Sequence, residues 1–271
     1  MLLSELGELG LLAELERRGL ARGIEDDAAQ LDDGLVVTQD ALVENVHFRL
    51  DWTTYRDVGY KAAAINLSDL AASGAEPEGL IVTLGAPPET ALDHVLELYS
   101  GLNEPGVPVL GGDTTGAVSL YLSVTALGRS ERVPGRAGAR PGDVLVVTGP
   151  LGAAGAAFRT GHHARPPLRL EEGRRLAAVA HAVIDVSDGL AADAGHLARR
   201  SGCALVIDLE RVPLAPGATV DDLGFGEDYE LLAATPDPLG FPEIGRCEAG
   251  GGVQLRLSGE AIELGGWEHF R

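Results

Sequence analysis

Between Asp57 and Ser73 the chain offers little to water. Ala62, Ala63, Ala64, Ile65, Leu67, Leu70, Ala71 and Ala72 occupy most positions, and Gly74 follows directly. An apolar periodic run closed by glycine predicts a helix over 57–73. A helix apolar on most of its circumference is buried rather than laid on a surface. Asn66, Asp69 and Ser73 stand three and four residues apart, so they share one of its faces. A carboxylate carried into a buried layer needs a partner. The chain has 21 basic residues against 41 acidic ones, so a cation is a good candidate for that partner.

The remaining elements are mixed. A helix is predicted over residues 3–19, a strand over 35–40, strands over 80–84 and 107–110, and a helix over 88–102 between them. Val118, Leu120, Leu122, Val124 and Ala126 alternate with Ser119, Tyr121, Ser123 and Thr125. That period of two predicts a half-buried strand of antiparallel type over 118–127. The turn-rich stretch from Arg136 to Asp143 marks a boundary. Beyond it come strands over 144–148, 182–186, 204–209, 229–233 and 253–257, a helix following the glycine-rich turn of Gly149, Gly152 and Gly155, and another over 189–200. Helices and strands do not alternate strictly, so the fold class is α/β of the mixed α+β kind. Two domains are expected, 1–138 and 139–271, each with chain enough for a core.

The net charge of −20 and pI near 4.6 exclude nucleic acid and anionic membrane surfaces as partners held by bulk electrostatics. The first residues carry acids and no basic region, and no apolar run approaches the ~20 residues that span a bilayer. A reduced cytoplasmic protein is the expectation. Cys203 and Cys247 cannot make a disulfide framework or a Cys-x-x-Cys zinc site. Cys203 reads as a small core residue, Cys247 as part of a turn, and both as dispensable.

Aspartates recur where an element meets a glycine-bearing turn: Asp26, Asp27, Asp40, Asp69, Asp113, Asp185 and Asp188. Turn and cap chemistry accounts for a single one of these. It accounts poorly for Asp69 on its apolar helix. Hard divalent ions take carboxylate oxygens, and magnesium combines one or two with phosphates and water. The glycines of Gly111-Gly112-Asp113-Thr114-Thr115 would let backbone N–H groups approach phosphate. No P-loop is present, since the only lysine, Lys61, follows Tyr60; there is no dinucleotide fingerprint and no Gly-x-Ser-x-Gly elbow. Taken alone, His47 reads as structural and the acids of Gly226-Glu-Asp-Tyr-Glu230 as caps of a strand start. His162-His163 reads as exposed loop.

Taken together, these motifs resemble those of the thiamine-monophosphate kinases, in the superfamily of aminoimidazole ribonucleotide synthetase. They are Gly23-Ile-Glu-Asp-Asp-Ala, Asp40-Ala-Leu-Val with His47-Phe48, Tyr60-Lys-Ala-Ala-Ala-Ile-Asn-Leu-Ser-Asp-Leu, Gly111-Gly-Asp-Thr-Thr, Arg136-Ala-Gly-Ala-Arg-Pro-Gly-Asp, Ile184-Asp-Val-Ser-Asp-Gly-Leu, Gly226-Glu-Asp-Tyr-Glu-Leu and Gly266-Trp-Glu-His-Phe. They run in family order along nearly the whole chain.

The resemblance implies transfer of the γ-phosphoryl of ATP to thiamine monophosphate, giving thiamine diphosphate, with several magnesium ions and no general base. It implies Asp27, Thr38, Asp40, Asp69, Asp113, Asp185 and Asp188 as metal ligands. Gly112, Asp113, Arg136 and Ser187 match ATP contacts; His47, Glu227 and Trp267 match substrate contacts. It also implies a two-domain fold of the aminoimidazole ribonucleotide synthetase type, paired into a homodimer through the N-terminal domain. Glu25 stands where the family has glycine, Gln39 where it has a small polar residue, and Gly224-Phe225-Gly226 replaces a small polar and Gly-Gly run. Selenophosphate synthetase needs a cysteine near the N-terminus and the hydrogenase-maturation relative a C-terminal one; this chain has neither. An aminoimidazole ribonucleotide synthetase-like enzyme and a non-catalytic nucleotide- or metal-binding relative are the alternatives.

Overall fold

The structure, a computed structural model, describes residues 2–270. The first half comprises α1 (Leu3–Arg17), β1 (Ala29–Gln30), β2 (Leu35–Val43), α2 (Tyr55–Ala72), β3 (Glu76–Ala86), α3 (Leu92–Asn103), β4 (Val109–Gly116) and β5 (Tyr121–Arg129). Its five strands lie in the order β1-β2-β5-β3-β4, antiparallel except for the β3–β4 pair. The second half comprises β6 (Val144–Val147), α4 (Ala153–Phe158), α5 (Leu170–Ala177), β7 (Ala182–Asp185), α6 (Leu190–Ser201), β8 (Ala204–Asp208), β9 (Leu231–Thr235), β10 (Glu243–Glu248), β11 (Gly252–Leu257) and β12 (Glu260–Ile262). Its sheet runs β12-β11-β8-β10-β6-β9-β7, mostly antiparallel with β8 and β11 parallel. Two mixed sheets in two halves are what the sequence leads one to expect.

Helix α2 opens on Thr54, whose hydroxyl accepts the Asp57 N–H, and is buried along almost its whole length. It packs on β2, β5 and α3 in its own half and on α5, β7 and β9 in the other. Ala71 and Ala72 share a core with Val146, Leu176, Val183 and Leu231. Along β5 the period of two holds: Leu122, Val124 and Ala126 are buried, while Tyr121, Ser123, Thr125 and Leu127 are half-exposed on the opposite face. That second face continues through Gln39 and Ala41 of β2 and Ile81 of β3, and the described residues leave it open.

Several boundaries differ from expectation. The first helix ends at Arg17 and is broken at Gly7. Strand β5 begins at Tyr121, because residues 117–120 are spent reversing the chain after β4. Gly111–Thr115 is not a turn: it lies inside β4, exposed along the sheet edge and paired in parallel with β3. Its glycines read as turn residues because only the neighbour strand makes them extended. Cys247 lies inside β10, buried and opposite Leu205, rather than in a turn. His163 is not a bare loop residue; its Nε2 accepts the Arg49 N–H at 3.1 Å and its ring leans on Trp52. Helix α5 and strands β10 and β12 went unforeseen.

Candidate active site

Three carboxylates from distant segments converge. Asp27 lies in the loop before β1, Asp69 on α2 and Asp185 at the end of β7, with one ligand oxygen of each within 4.8 Å of the others. Among the described residues this is the one such group. Each is held from behind. The Thr38 hydroxyl of β2 bonds Asp69 Oδ2 and lies 3.2 Å from the Asp27 carbonyl. Ser68 Oγ donates to Asp185 Oδ2 at 2.6 Å. Arg136 pairs with Asp27 Oδ1 at 2.5 Å, and its backbone N–H reaches Asp26 Oδ1 at 2.7 Å. Asp40 borders the group; its N–H donates to Asn66 Oδ1 at 3.0 Å, and the Asn66 amide donates to Ala62 O.

Burial in low dielectric disfavours the charged form of a carboxyl, and neighbouring carboxylates add to this. Asp185 is pushed up to about 8 by burial and then by Asp27. Asp40 is pushed up to about 6 by burial, Asp27 and Asp188. Asp69 rises well above the ordinary range through burial, with Asp40, Asp185 and Asp27 behind it. Asp27 rises through burial although Arg136 opposes it. Asp188 rises through burial and the nearby Glu8. Acids this crowded suit a hard divalent cation, which takes ionised oxygens and removes their repulsion.

The loops beyond the cluster interlock. Gly226 has φ 84°, and a Cβ there would stand 2.3 Å from the Ser187 carbonyl. The next residue, Glu227, donates its N–H to that same carbonyl at 2.8 Å. Trp267 donates its N–H to Asp188 O at 2.9 Å and leaves its indole half-exposed. His269 follows, edge-on to Trp267 and 5.5 Å from the His47 ring. His47 Nδ1 accepts the Val43 N–H at 3.0 Å, so in its neutral form the proton sits on Nε2. Burial, His269 and Lys61 all lower its pKa.

The structure therefore brings Asp27, Thr38, Asp69 and Asp185 together, with Asp40, Asp188 and Arg136 at their edge and His47, Glu227 and Trp267 on adjoining loops. It does not bring Asp113 or Gly112 to the group. Asp113 is exposed on β4, level with Ala41 but three strand spacings away, roughly 14 Å. Glu25 points elsewhere and pairs with Arg200 at 2.6 Å. Gln39 also faces away, donating to Ser123 Oγ at 2.8 Å on the open face of the sheet. Asp228 caps not its own strand but α4, accepting the Gly152 N–H at 2.7 Å. Glu230 takes a two-pronged contact from Arg169 and the Thr148 hydroxyl. An open cavity of about 390 Å³ lies apart from the acids, beside Phe158, Arg159, Asp222 and Phe225. Sequence reasoning passed over Ser68, Lys61 and His269; only the lysine carried a usable sign, as the single one in the chain.

This is an AIR synthase-related architecture, and both of that family's domain descriptions match: the N-terminal domain over residues 25–130 and the C-terminal domain over 140–238. Thiamine-monophosphate kinase of Aquifex aeolicus is 33% identical over the whole of both chains. Thiamine-monophosphate kinase of Mycobacterium tuberculosis (strain H37Rv) is 36% identical, covering 99% of this chain and 93% of its own. The solved structure of AaThiL complexed with AMPPCP and TMP superposes with a TM-score of 0.91 at 33% identity, covering 99% of each chain. The chain belongs to the thiamine-monophosphate kinase family.

Proposed function

We propose that the chain phosphorylates thiamine monophosphate with ATP, giving thiamine diphosphate. The observation that carries this reading is the convergence of Asp27, Asp69 and Asp185 within 4.8 Å in a chain of this family. Donor and acceptor are both phosphates, so their mutual repulsion is the main obstacle, and in-line alignment with charge neutralisation is what the protein must supply. Asp27, Thr38, Asp40, Asp69, Asp185 and Asp188 would hold magnesium ions, while Asp113, out of reach of that group, is left to the nucleotide. Bound magnesium neutralises phosphate oxygens and fixes their geometry. Arg136, Gly112 and Ser187 are assigned to the nucleotide, and His47, Glu227 and Trp267 to the acceptor.

No side chain needs to act as a base. The second pKa of a phosphate monoester is about 6, so its attacking oxygen is largely ionised at neutral pH. His47, with Nδ1 occupied by a backbone N–H, serves as an Nε2–H donor and positions the substrate. We assign residues 1–138 to nucleotide, metal and pairing, and 139–271 to completing the acceptor side. The open face bearing Gln39, Ile81, Tyr121 and Leu127 supports a homodimer through the N-terminal sheet, because pairing would cover it. Among the described residues no helix is long and apolar enough to cross a membrane. Dependence on ATP favours a cytoplasmic location. The test is purified protein with ATP, magnesium and thiamine monophosphate, reading thiamine diphosphate by fluorescence after oxidation. ATP hydrolysis without that product would refute the reading.

A further inference from the structure

The role of Lys61 remains. It is the only lysine among 21 basic residues, and its side chain is 6% exposed. It projects from α2 and donates to two loops at once: to the His47 carbonyl at 2.9 Å and to Glu227 Oε1 at 2.5 Å. One loop belongs to the first half of the chain and the other to the second. Glu227 is held in a backbone conformation that side chains seldom adopt, with φ 58°, and Tyr229 likewise with φ 52°. Such geometry persists only where the surroundings over-determine it. Two backbone bonds, Glu227 N–H to Ser187 O and Tyr229 N–H to Val186 O, hold the main chain. Among the described residues, the Glu227 side chain pairs with Lys61.

We infer that Lys61 is a positioning residue for the acceptor: it clamps Glu227 by one oxygen and the His47 loop by its carbonyl, so that the second Glu227 oxygen and His47 Nε2 face the substrate in fixed register. The inference rests on the phosphotransfer reading above. The pair also sets what kind of recognition Glu227 performs. A lone carboxylate would draw any cation, the charged thiazolium ring included. A carboxylate neutralised by an ammonium selects by hydrogen bond geometry instead. The site suits lysine rather than arginine. The small pocket beside it, lined by Phe48, Val58 and His163 among others, has room for about one water, and a compact ammonium donates to both acceptors from one atom.

The test uses the full-length protein as wild type, Lys61→Met, Lys61→Arg and the double variant Lys61→Met/Glu227→Gln. KM for ATP and KM for thiamine monophosphate are measured separately, with the other substrate saturating. Truncating the buried ammonium of this half-buried pair should raise the acceptor KM by at least about 30-fold while leaving the ATP KM within about twofold. Lys61→Arg should recover less than half of that loss. The double variant leaves neither charge of the pair unmatched, so it folds even where Lys61→Met does not. Its acceptor KM should be at least as high as that of Lys61→Met, since Glu227→Gln also changes a group that faces the substrate. A lysine that merely braced the junction would lower the melting temperature and move both KM values alike, and that result overturns the inference. So does an acceptor KM within about twofold of wild type in the double variant. Wild-type protein that made no thiamine diphosphate would instead sink the phosphotransfer reading itself.

Discussion

Replacing Asp69 by asparagine keeps the shape of the acid cluster and removes one of its charges. The ligand oxygens of Asp27, Asp69 and Asp185 lie within 4.8 Å of one another. Two unit charges at that separation repel by about 3.5 kcal/mol at an effective dielectric near 20. Without metal the folded chain avoids this by holding protons: Asp185 is pushed from 3.8 to about 8 and Asp69 also rises well above its ordinary value. The folded state then binds more protons than the unfolded chain between about pH 4 and pH 8. Metal-free stability is greatest at the acid end of that window and falls as pH rises through it. The amide oxygen of the substituted side chain can still accept from Thr38, while two of the three repulsions vanish. Metal-free Asp69→Asn should therefore match wild type at pH 5 and exceed it at pH 8. One pair, about 3.5 kcal/mol, bounds the gain, because protonation already relieves part of it. At about 2–4 °C per kcal/mol, a few degrees are expected. Magnesium should then reverse the order at pH 8, raising the wild-type melting temperature and leaving the variant unmoved. Turnover should fall about 100-fold or more. Scanning calorimetry at both pH values, with and without magnesium, checks the first part, and the fluorescence assay the second. Coincident melting at pH 8 in every condition, or near-normal turnover at saturating magnesium, would refute the reasoning.

His47→Asn should raise the acceptor KM about tenfold and leave the shape of the kcat profile unchanged, rising through the acceptor's ionisation and flat towards pH 9; loss of an ionisation seen in wild type would make His47 a base. Asp193 is buried, well above its ordinary pKa because of that burial, and accepts the Asp188 N–H at 3.0 Å. Asp193→Ala should unmoor the 185–188 turn and cut kcat, whereas Asp193→Asn keeps most of it, and equal losses in both would count against that role. Cys203 and Cys247 are buried, so alkylation of the native protein should leave both unmodified and activity intact; rapid labelling would contradict the packing. Sedimentation should give a mass near twice 28.1 kDa, and Ile81→Glu should halve it; a wild-type mass of 28.1 kDa would argue against pairing.

How much of this could be read in advance depends on range. Helix α2 declared itself because its cap, apolar run and stopping glycine are all local, and Asp69 stood out against that background. The half-buried strand β5 showed its period for the same reason. Gly111–Thr115 misled because glycine, aspartate and threonine describe a turn until β3 is beside them. The pairing of Lys61 with Glu227 spans 166 residues, and no spacing rule reaches across that separation. Comparably long separations hid Ser68 behind Asp185 and His269 beside His47. Glu25 and Gln39 were legible as departures, but whether they pointed at the cluster was a matter of side-chain direction, which Arg200 and Ser123 decide.

The packing of α2 between the halves has a mechanical consequence. Gly173 of α5 meets α2 so closely that a Cβ there would lie 2.1 Å from the Ala71 carbonyl, and Ala71 and Ala72 are sealed in apolar side chains of α5, β6, β7 and β9. An interface of backbone pressed on helix is a weld, not a hinge. Such halves do not swing apart to admit nucleotide. Access has to come from the loops that carry Asp27, His47 and Trp267 at the rim, while the sheets stay fixed. The two halves should accordingly lose their structure in a single step, neither outlasting the other.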